Sequence, residues 1–337
     1  MKLRYALATL KAADPIALLK IVQDFRSAVR MHFLFAAQQS GLLRELCTPR
    51  TRDELIDRLS VRRPEILDAL LEVGLSVGEL GQKGDRISLK GRRARALSEP
   101  RGDPLAAVIE ANLTYYNAIY RGTADRLRGG PDDDCLSEIG EVVARFSTFA
   151  EPMIRDVLSA QLDTDRPLRM LDVGCGTGDY LRSVATLHPR ATGVGVEVDP
   201  AVATRAEQCL REWELAERFE IVCADILDHK GKVSGPFQLI TMLNVVYYFP
   251  EDARVGLFEA IRELLDEGGC FMLVNSMQCR GEDFSAANLN LAVSSMRGCT
   301  PLPKRERVLD QLAAAGFVEA TSKKLASQSA FWAIVAR

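Results

Sequence analysis

Leu171-Asp172-Val173-Gly174-Cys175-Gly176-Thr177-Gly178 decides how the rest of this 337-residue chain is read. It closes an apolar run, Leu168 to Val173, that reads as a buried strand. The glycines at 174, 176 and 178 then let the backbone turn sharply and pass close to a ligand. From Asp179 the pattern is helical, so the first amides of a helix face the same ligand without partners of their own. In open parallel sheets, ligands lie beyond the carboxyl ends of the strands, where the strand order reverses. A strand, a glycine turn and a helix start in series belong at that place.

The flanking sequence supports such a sheet. Further strand-like runs are Thr192 to Glu197, Phe219 to Cys223, Phe237 to Leu243 and Cys270 to Asn275, with helical stretches between the early ones. Gly316-Phe317-Val318-Glu319 and Phe331 to Val335 read as a closing pair of strands. The alternation predicts an α/β fold with a doubly wound, mostly parallel sheet of seven strands.

The ligand is narrowed by spacing and charge. Dinucleotide sites read G-x-G-x-x-G, whereas here the glycines run G-x-G-x-G, with Asp179 where the third glycine would stand, and no phosphate-binding lysine follows. Asp172 adds a carboxylate just before the turn, which suits a ligand bearing an amine and a sulfonium better than a pyrophosphate. Glu197 ends the next strand about 20 residues on, the distance at which an acid reaches ribose hydroxyls. Asp225, after the third strand, can accept from the exocyclic amine of adenine. Each acid alone reads equally as a cap or a surface carboxylate; in series they describe an S-adenosylmethionine (SAM) site.

The first half has a different grammar. Asp14-Pro15 starts a helix, and Leu18, Val22, Phe25, Val29 and Phe33 recur at helical spacing. Thr51-Arg52-Asp53-Glu54 is a capping box, and Pro64 opens a helix carrying Ile66, Leu67, Leu70 and Leu71. Gly81 to Leu89 reads as a hairpin, which completes the outline of a winged helix. A DNA-reading role is disfavoured because Glu65, Asp68 and Glu72 counter Arg62 and Arg63 on the second helix. The basic cluster Lys90, Arg92, Arg93 and Arg95 reads as a solvated loop after the wing. Between the halves, Pro104 to Ala160 is helical, with aromatic residues Tyr115, Tyr116, Tyr120, Phe146 and Phe149 and basic residues Arg121, Arg145 and Arg155. It serves as a connecting bundle or as the wall of a small-molecule pocket. The expected division is 1–100, 101–160 and 161–337.

Bulk properties narrow the class further. A net charge of −3 gives no reason to expect a nucleic-acid partner, and no apolar run is long enough to span a membrane. Lys2 and Arg4 precede a short apolar stretch that Lys11 and Asp14 cut off, so Met1 to Leu10 reads as the lead-in to a helix rather than a signal peptide. The eight cysteines, at 47, 135, 175, 209, 223, 270, 279 and 299, form no C-x-x-C pair and no zinc spacing with histidine. They read as free thiols in a reducing cytoplasm, with no metal expected.

LDVGCGTG (171–178), GVEVDP (195–200), CADIL (223–227) and LLDEGG (264–269) resemble the successive motifs of class I SAM-dependent methyltransferases. Ser40-Gly41-Leu42-Leu43, the TRDEL helix (51–55) and the wing RISLKGRRARAL (86–97) resemble the N-terminal dimerisation domain of small-molecule O-methyltransferases, as does the closing segment from Leu302-Pro303 through Ala315-Gly316-Phe317. The resemblance implies a homodimer formed through that domain, with SAM as methyl donor and S-adenosylhomocysteine as product. It places Asp172, Gly174, Gly176 and Gly178 along the methionine part, Glu197 on the ribose, Asp225 and Ile226 around the adenine and Asn244 near the sulfonium. Phe146, Phe149 and Met153 would cover cofactor and acceptor.

The resemblance breaks at one place. Family members carry a histidine after the fourth strand, in a segment like HDWSDE. Here Tyr247-Tyr248-Phe249-Pro250-Glu251-Asp252 stands there, and neither His188 nor His229 falls at the matching position. His188, before Pro189, reads as a surface residue. Methyl transfer is an in-line displacement, which chiefly demands alignment and exclusion of water. A base is required only if the nucleophile must lose a proton, as a phenol of pKa about 10 does. This reasoning leans away from a phenol and toward sulfur, carboxylate, amine or carbon, with sulfur in a thiol or methylthio acid as the main reading. The alternatives are O-methylation of a phenolic or carboxylate compound, or a silent SAM-binding regulator. Tyr247, Tyr116 and Arg121 are the catalytic candidates, Tyr115 and Tyr120 line the expected pocket, and Arg121 or Arg145 could clamp an acidic acceptor.

Overall fold

The computed structural model describes residues 14–133, 142–143, 145–162, 165–228 and 232–337. The N-terminal stretch Met1 to Leu10, Cys135 and His229 lie outside them. Two compact units emerge: Met1–Asn117 with Glu141–Phe146, and Ala118–Gly140 with Ser147–Arg337.

The N-terminal unit opens with α1 (Pro15–Gln39), whose first amides are capped by Asp14 Oδ1, accepting from Ile16 N at 2.9 Å. Strand β1 (Arg50–Thr51) leads into α2 (Arg52–Arg58). The expected capping box is formed: Thr51 N donates to Glu54 Oε2 at 2.8 Å, and Glu54 N donates to the Thr51 hydroxyl. Helix α3 (Pro64–Val77) is followed by the wing hairpin β2 (Leu80–Lys83) and β3 (Arg86–Leu89), and β1 joins β3 to make three antiparallel strands. Leu67 and Leu71 bury one face of α3 with Phe33, Leu34, Leu42, Leu55 and Ile87. Its charges are spent internally, Arg63 on Glu65 and Asp68 on Arg52 of α2, so the second helix has little free charge for a phosphate backbone.

Two expectations fail in this unit. Residues 92–95 are not a loop but the start of α4 (Arg92–Ser98), where Ala94 and Leu97 are buried and hold the helix on the core. Along α1, Phe33 is buried as the periodicity predicts, but Leu18, Val22 and Phe25 stay exposed. The chain continues through α5 (Asp103–Ala111) and a π-helical turn, Asn112–Tyr116.

The second unit begins with α6 (Asn117–Arg126, but for its first residue) and α7 (Glu151–Ser159). Its sheet strands are β4 (Arg169–Val173), β5 (Thr192–Glu197), β6 (Phe219–Cys223), β7 (Phe237–Leu243), β8 (Leu265–Ser276), β9 (Ala320–Lys324) and β10 (Phe331–Ala336). Their spatial order is β6-β5-β4-β7-β8-β10-β9, with β6 through β8 parallel and β10 antiparallel to both neighbours. The order reverses at β4, so the glycine turn that follows β4 lies at the switch. The five parallel strands occur where expected. Strand β8 starts five residues earlier than its apolar core, and β9 starts at Ala320, after the segment Gly316 to Glu319. Val318 is 97% exposed, because that segment turns outward before the strand begins.

Alternation along β4 feeds two cores. Leu171 and Val173 pack with Phe258, Phe271 and Phe317 on one face, and Met170 packs with Leu239 and Met272 on the other. The helices that cover the sheet include α8 (Asp179–Leu187), α9 (Pro200–Glu212), α10 (Arg254–Leu264) and α11 (Arg305–Ala314). His188, at the end of α8, is not a surface residue. It is buried, with Nε2 bonded to Arg166 O at 2.9 Å, and so holds the entry to β4. No helix among the described residues is long and apolar enough to cross a membrane.

Candidate active site

Asp172 lies on the face of β4 opposite Leu171 and Val173, opposite Thr241 of β7 and Gly195 of β5. It is 1% exposed. The Thr241 hydroxyl donates to its Oδ1 at 2.6 Å, while Oδ2 is buried with no hydrogen-bond partner in the protein. Burial, reinforced by the charges of Glu197 and Asp179 and only partly offset by Thr241, pushes its carboxyl up to about 7. An acceptor oxygen buried without a donor is destabilising by about 1–3 kcal/mol, which a donor-bearing cation at this place would relieve.

The turn after Asp172 is built for close approach. Gly174, Gly176 and Gly178 have φ of 69°, 55° and 87°, which strain any residue with a Cβ. At Gly174 a Cβ would also lie 2.7 Å from Val245 Cγ2, so the end of β7 presses directly on the turn. Gly174 N and Cys175 N both donate to Val196 O, pinning the turn to β5. Glu197 grips it from the side: Gly176 N donates to Oε2 and Asp199 N to Oε1, each at 3.1 Å. Asp225 is exposed and accepts from Leu227 N at 2.9 Å, with Ile226 buried beside it. Asn244 has φ 56°, and its Oδ1 accepts from Ser276 N at 3.3 Å. The cofactor residues inferred from sequence thus gather around the ends of β4, β5, β6 and β7. Three carboxylates, Asp172, Glu197 and Asp179, make the place electronegative. The orphaned oxygen, the glycine cradle and the negative charge all fit a ligand with an amine and a sulfonium.

The acceptor-side candidates are divided between the two units. Tyr115, Tyr116, Arg145 and Phe146 belong to the N-terminal unit. Tyr115 and Tyr116 lie against each other in the π-helical turn, with ring centroids 4.1 Å apart and planes tilted by 38°. Arg145 cannot serve as a free clamp for an acidic acceptor, because its guanidinium donates to Asp103 (2.8 to 3.1 Å) and Glu110 (2.8 Å), and chiefly the hydrogen bonds it gives Asp103 hold it above the usual arginine range. In the second unit, Arg121 is exposed, Tyr120 donates to Asn288 Oδ1 at 2.9 Å, Phe149 is 45% exposed and Met153 packs on the sheet core.

Tyr247 stands in the 3-10 turn after β7 but points into an apolar cluster of Ala286, Val293, Leu302 and Ala330, leaving 7% of its surface exposed. Sequence reasoning missed several neighbours. Thr241 orders Asp172. Tyr180, the second residue of α8, is close enough to Asp172 for that charge to add to burial in pushing its phenol above the usual range. Trp213 lies under Gly178, with Arg182 over its ring at 4.7 Å. Only pairing registers reveal the Thr241 contact; in the sequence it is a polar residue in an apolar strand.

Residues 171–271 match the family model described as a methyltransferase domain. That segment of the second unit is therefore a methyltransferase domain. Among the relatives of this chain, the demethylspheroidene O-methyltransferase of Cereibacter sphaeroides is 25% identical over 232 residues, 64% of this chain and 59% of that protein, so the chain spans about three fifths of its length. The 8-amino-8-demethylriboflavin N,N-dimethyltransferase of Streptomyces davaonensis is 36% identical over 88 residues, 26% of this chain and 25% of that protein. The fold matches the mitomycin 7-O-methyltransferase structure with a TM-score of 0.78 at 16% identity, covering 97% of this chain and 99% of that one. The structure of human N-acetylserotonin methyltransferase with SAM matches at 0.73 and 16% identity, covering 96% and 98%. The preference for a sulfur acceptor finds no support here. It rested on the missing histidine alone, and these relatives are named for oxygen or nitrogen methylation where the name gives an atom.

Proposed function

We propose that the protein transfers the methyl group of SAM to an oxygen of a small organic acceptor, acting as a homodimer. The observation that carries the reading is the buried, half-satisfied Asp172 beside a glycine turn gripped by Glu197. Asp172, Gly174, Gly176 and Gly178 would hold the methionine part, Glu197 the ribose, Asp225 and Ile226 the adenine, and Asn244 the sulfonium side. Phe149 and Met153 would border the acceptor. SAM, once bound, supplies an electrophilic methyl carbon; the protein's part is to align the acceptor oxygen with it and exclude water. Oxygen is favoured because the demethylspheroidene and mitomycin relatives are O-methyltransferases.

The dimer is supported by α1, whose Ile16, Leu19, Ile21, Val22 and Phe25 present large exposed apolar side chains among the described residues. Sedimentation equilibrium tests it, and a monomer at every concentration would remove it. The function is tested by incubating the protein with SAM and a panel of phenols, hydroxylated polyenes and carboxylic acids while following S-adenosylhomocysteine. Release with an oxygen acceptor is expected. Tight SAM binding without release on any oxygen compound would sink the reading.

A further inference from the structure

The missing histidine leaves open what meets the acceptor oxygen, and the turn after β7 supplies a different group. Tyr248 follows Tyr247 there, and the two rings lie 4.8 Å apart, tilted by 50°. Their roles divide. Tyr247 is embedded in the apolar cluster, whereas Tyr248 leaves 41% of its surface exposed and shares a hydrogen bond with the Tyr247 side chain. Tyr248 stands three residues after Val245, whose side chain touches the glycine turn, and the charge of Glu197 contributes to its electrostatic surroundings.

The turn is fixed from behind by an expensive device. Arg254 of α10 is 2% exposed, and burial holds its guanidinium below the usual arginine range. Its Nε donates to Phe249 O at 3.1 Å and its Nη2 to the Thr300 hydroxyl at 2.9 Å. Thr300 in turn donates through its hydroxyl (2.9 Å) and its amide (2.8 Å) to Tyr247 O. The hydrogen bonds of Arg254 go to backbone and hydroxyl oxygens, while the carboxylate of Glu251 acts on it through space, and so buried a charge is unfavourable unless rigid placement of the turn matters.

We propose that Tyr248 is the residue that meets the acceptor, donating its hydroxyl to an acceptor oxygen that is already ionised, with Tyr247, Thr300 and Arg254 as positioning residues. The substrate class is therefore an acidic hydroxyl, such as an electron-poor phenol, a vinylogous acid or a carboxylic acid. The inference rests on the O-methyltransferase reading. The titratable and charged groups around Tyr248 agree with a donor. Burial first, then Cys299 and Glu197, push its phenol up to about 12, against a lowering by the Tyr247 hydrogen bond, so it keeps its proton at working pH. Nearby Glu251 is committed to Arg307 at 2.8 Å, mainly by the hydrogen bond that holds it below the usual carboxylate range. In the step, a lone pair of the anionic oxygen forms the new O–CH3 bond as the S–CH3 bond breaks and its electron pair stays on sulfur. The acceptor's proton has already gone to solvent.

The test uses 4-nitrophenol, whose ionised form absorbs visible light, with the full-length protein saturated with S-adenosylhomocysteine. Absorbance titration over pH is expected to show the bound phenol ionising at lower pH than the free one. Tyr248→Phe should remove at least about tenfold of the preference for the anion, the scale of one charge-assisted hydrogen bond. Thr300→Val should reproduce part of that loss without changing S-adenosylhomocysteine affinity. No binding, binding of the neutral form, or an unchanged preference in Tyr248→Phe overturns the proposal. Failure of S-adenosylhomocysteine itself to bind in calorimetry would instead overturn the methyltransferase reading.

Discussion

Among the described residues, the most deeply buried carboxylate of each unit is Glu79 in the first and Asp172 in the second, and the two are treated in opposite ways. Glu79, between α3 and the wing, is 2% exposed; Asp172 is 1% exposed. Around Glu79 the protein supplies everything a buried anion needs. Ala94 N donates to Oε2 at 3.1 Å, Arg93 donates to Oε1 at 3.3 Å, and Arg30 lies 3.5 Å away. Around Asp172 it supplies one hydroxyl, leaves one oxygen bare and places two further acids nearby. A satisfied buried acid ties segments together. An unsatisfied one among like charges raises the free energy of the empty protein and awaits a cation.

The contrast predicts different consequences of removing each acid. Glu79→Ala should have the largest effect, a loss of about 3 kcal/mol in urea unfolding, because a partly buried arginine and an amide lose their partner. SAM affinity should hardly move. If Glu79→Ala weakens SAM binding while stability is unchanged, the structural reading of Glu79 is wrong. Asp172→Asn should do the reverse, weakening SAM about tenfold or more in calorimetry at pH 8 with no loss of stability in the empty protein.

The smallest effect is in the pH dependence. A carboxyl raised to about 7 when folded binds a proton that the unfolded chain has released, so its contribution is present below pH 4 and is lost as pH rises through 7. The unliganded wild type should therefore lose about 1 kcal/mol of stability relative to Asp172→Asn between pH 6 and 8. SAM affinity should rise over the same interval, with proton release on binding, since the ligand's positive charge favours the anion. Flat behaviour in both would mean that Asp172 is ionised well below pH 7 in the empty protein.

Much of this was legible in the residues. The glycine turn, Glu197 and Asp225 are local signals, since each stands at a fixed distance from a strand end, and hydrophobic period locates strand ends well. The capping box at Thr51 and the proline-led helices are local for the same reason. Where reading failed, the deciding partner was distant in sequence. His188 looks superficial beside Pro189, yet the carbonyl of Arg166 buries it. Arg145 looks available until Asp103 and Glu110 fold onto it. The helix at 92–98 looks like a charged loop because its apolar positions, Ala94 and Leu97, are few and matter only against the core.

By itself, then, the sequence determined a SAM-type glycine turn at the switch of a mostly parallel sheet, because backbone freedom and strand period are properties of neighbouring residues. Only the tertiary structure decided how that turn is charged and faced. Strand register sets Thr241 against Asp172 and leaves the other oxygen bare. The path of the chain after β7 sinks Tyr247 into the core and turns Tyr248 outward, and burial of Arg254 behind them holds that division in place. Such facts depend on which distant groups share a small volume from which water is excluded, and no local pattern of residues encodes that.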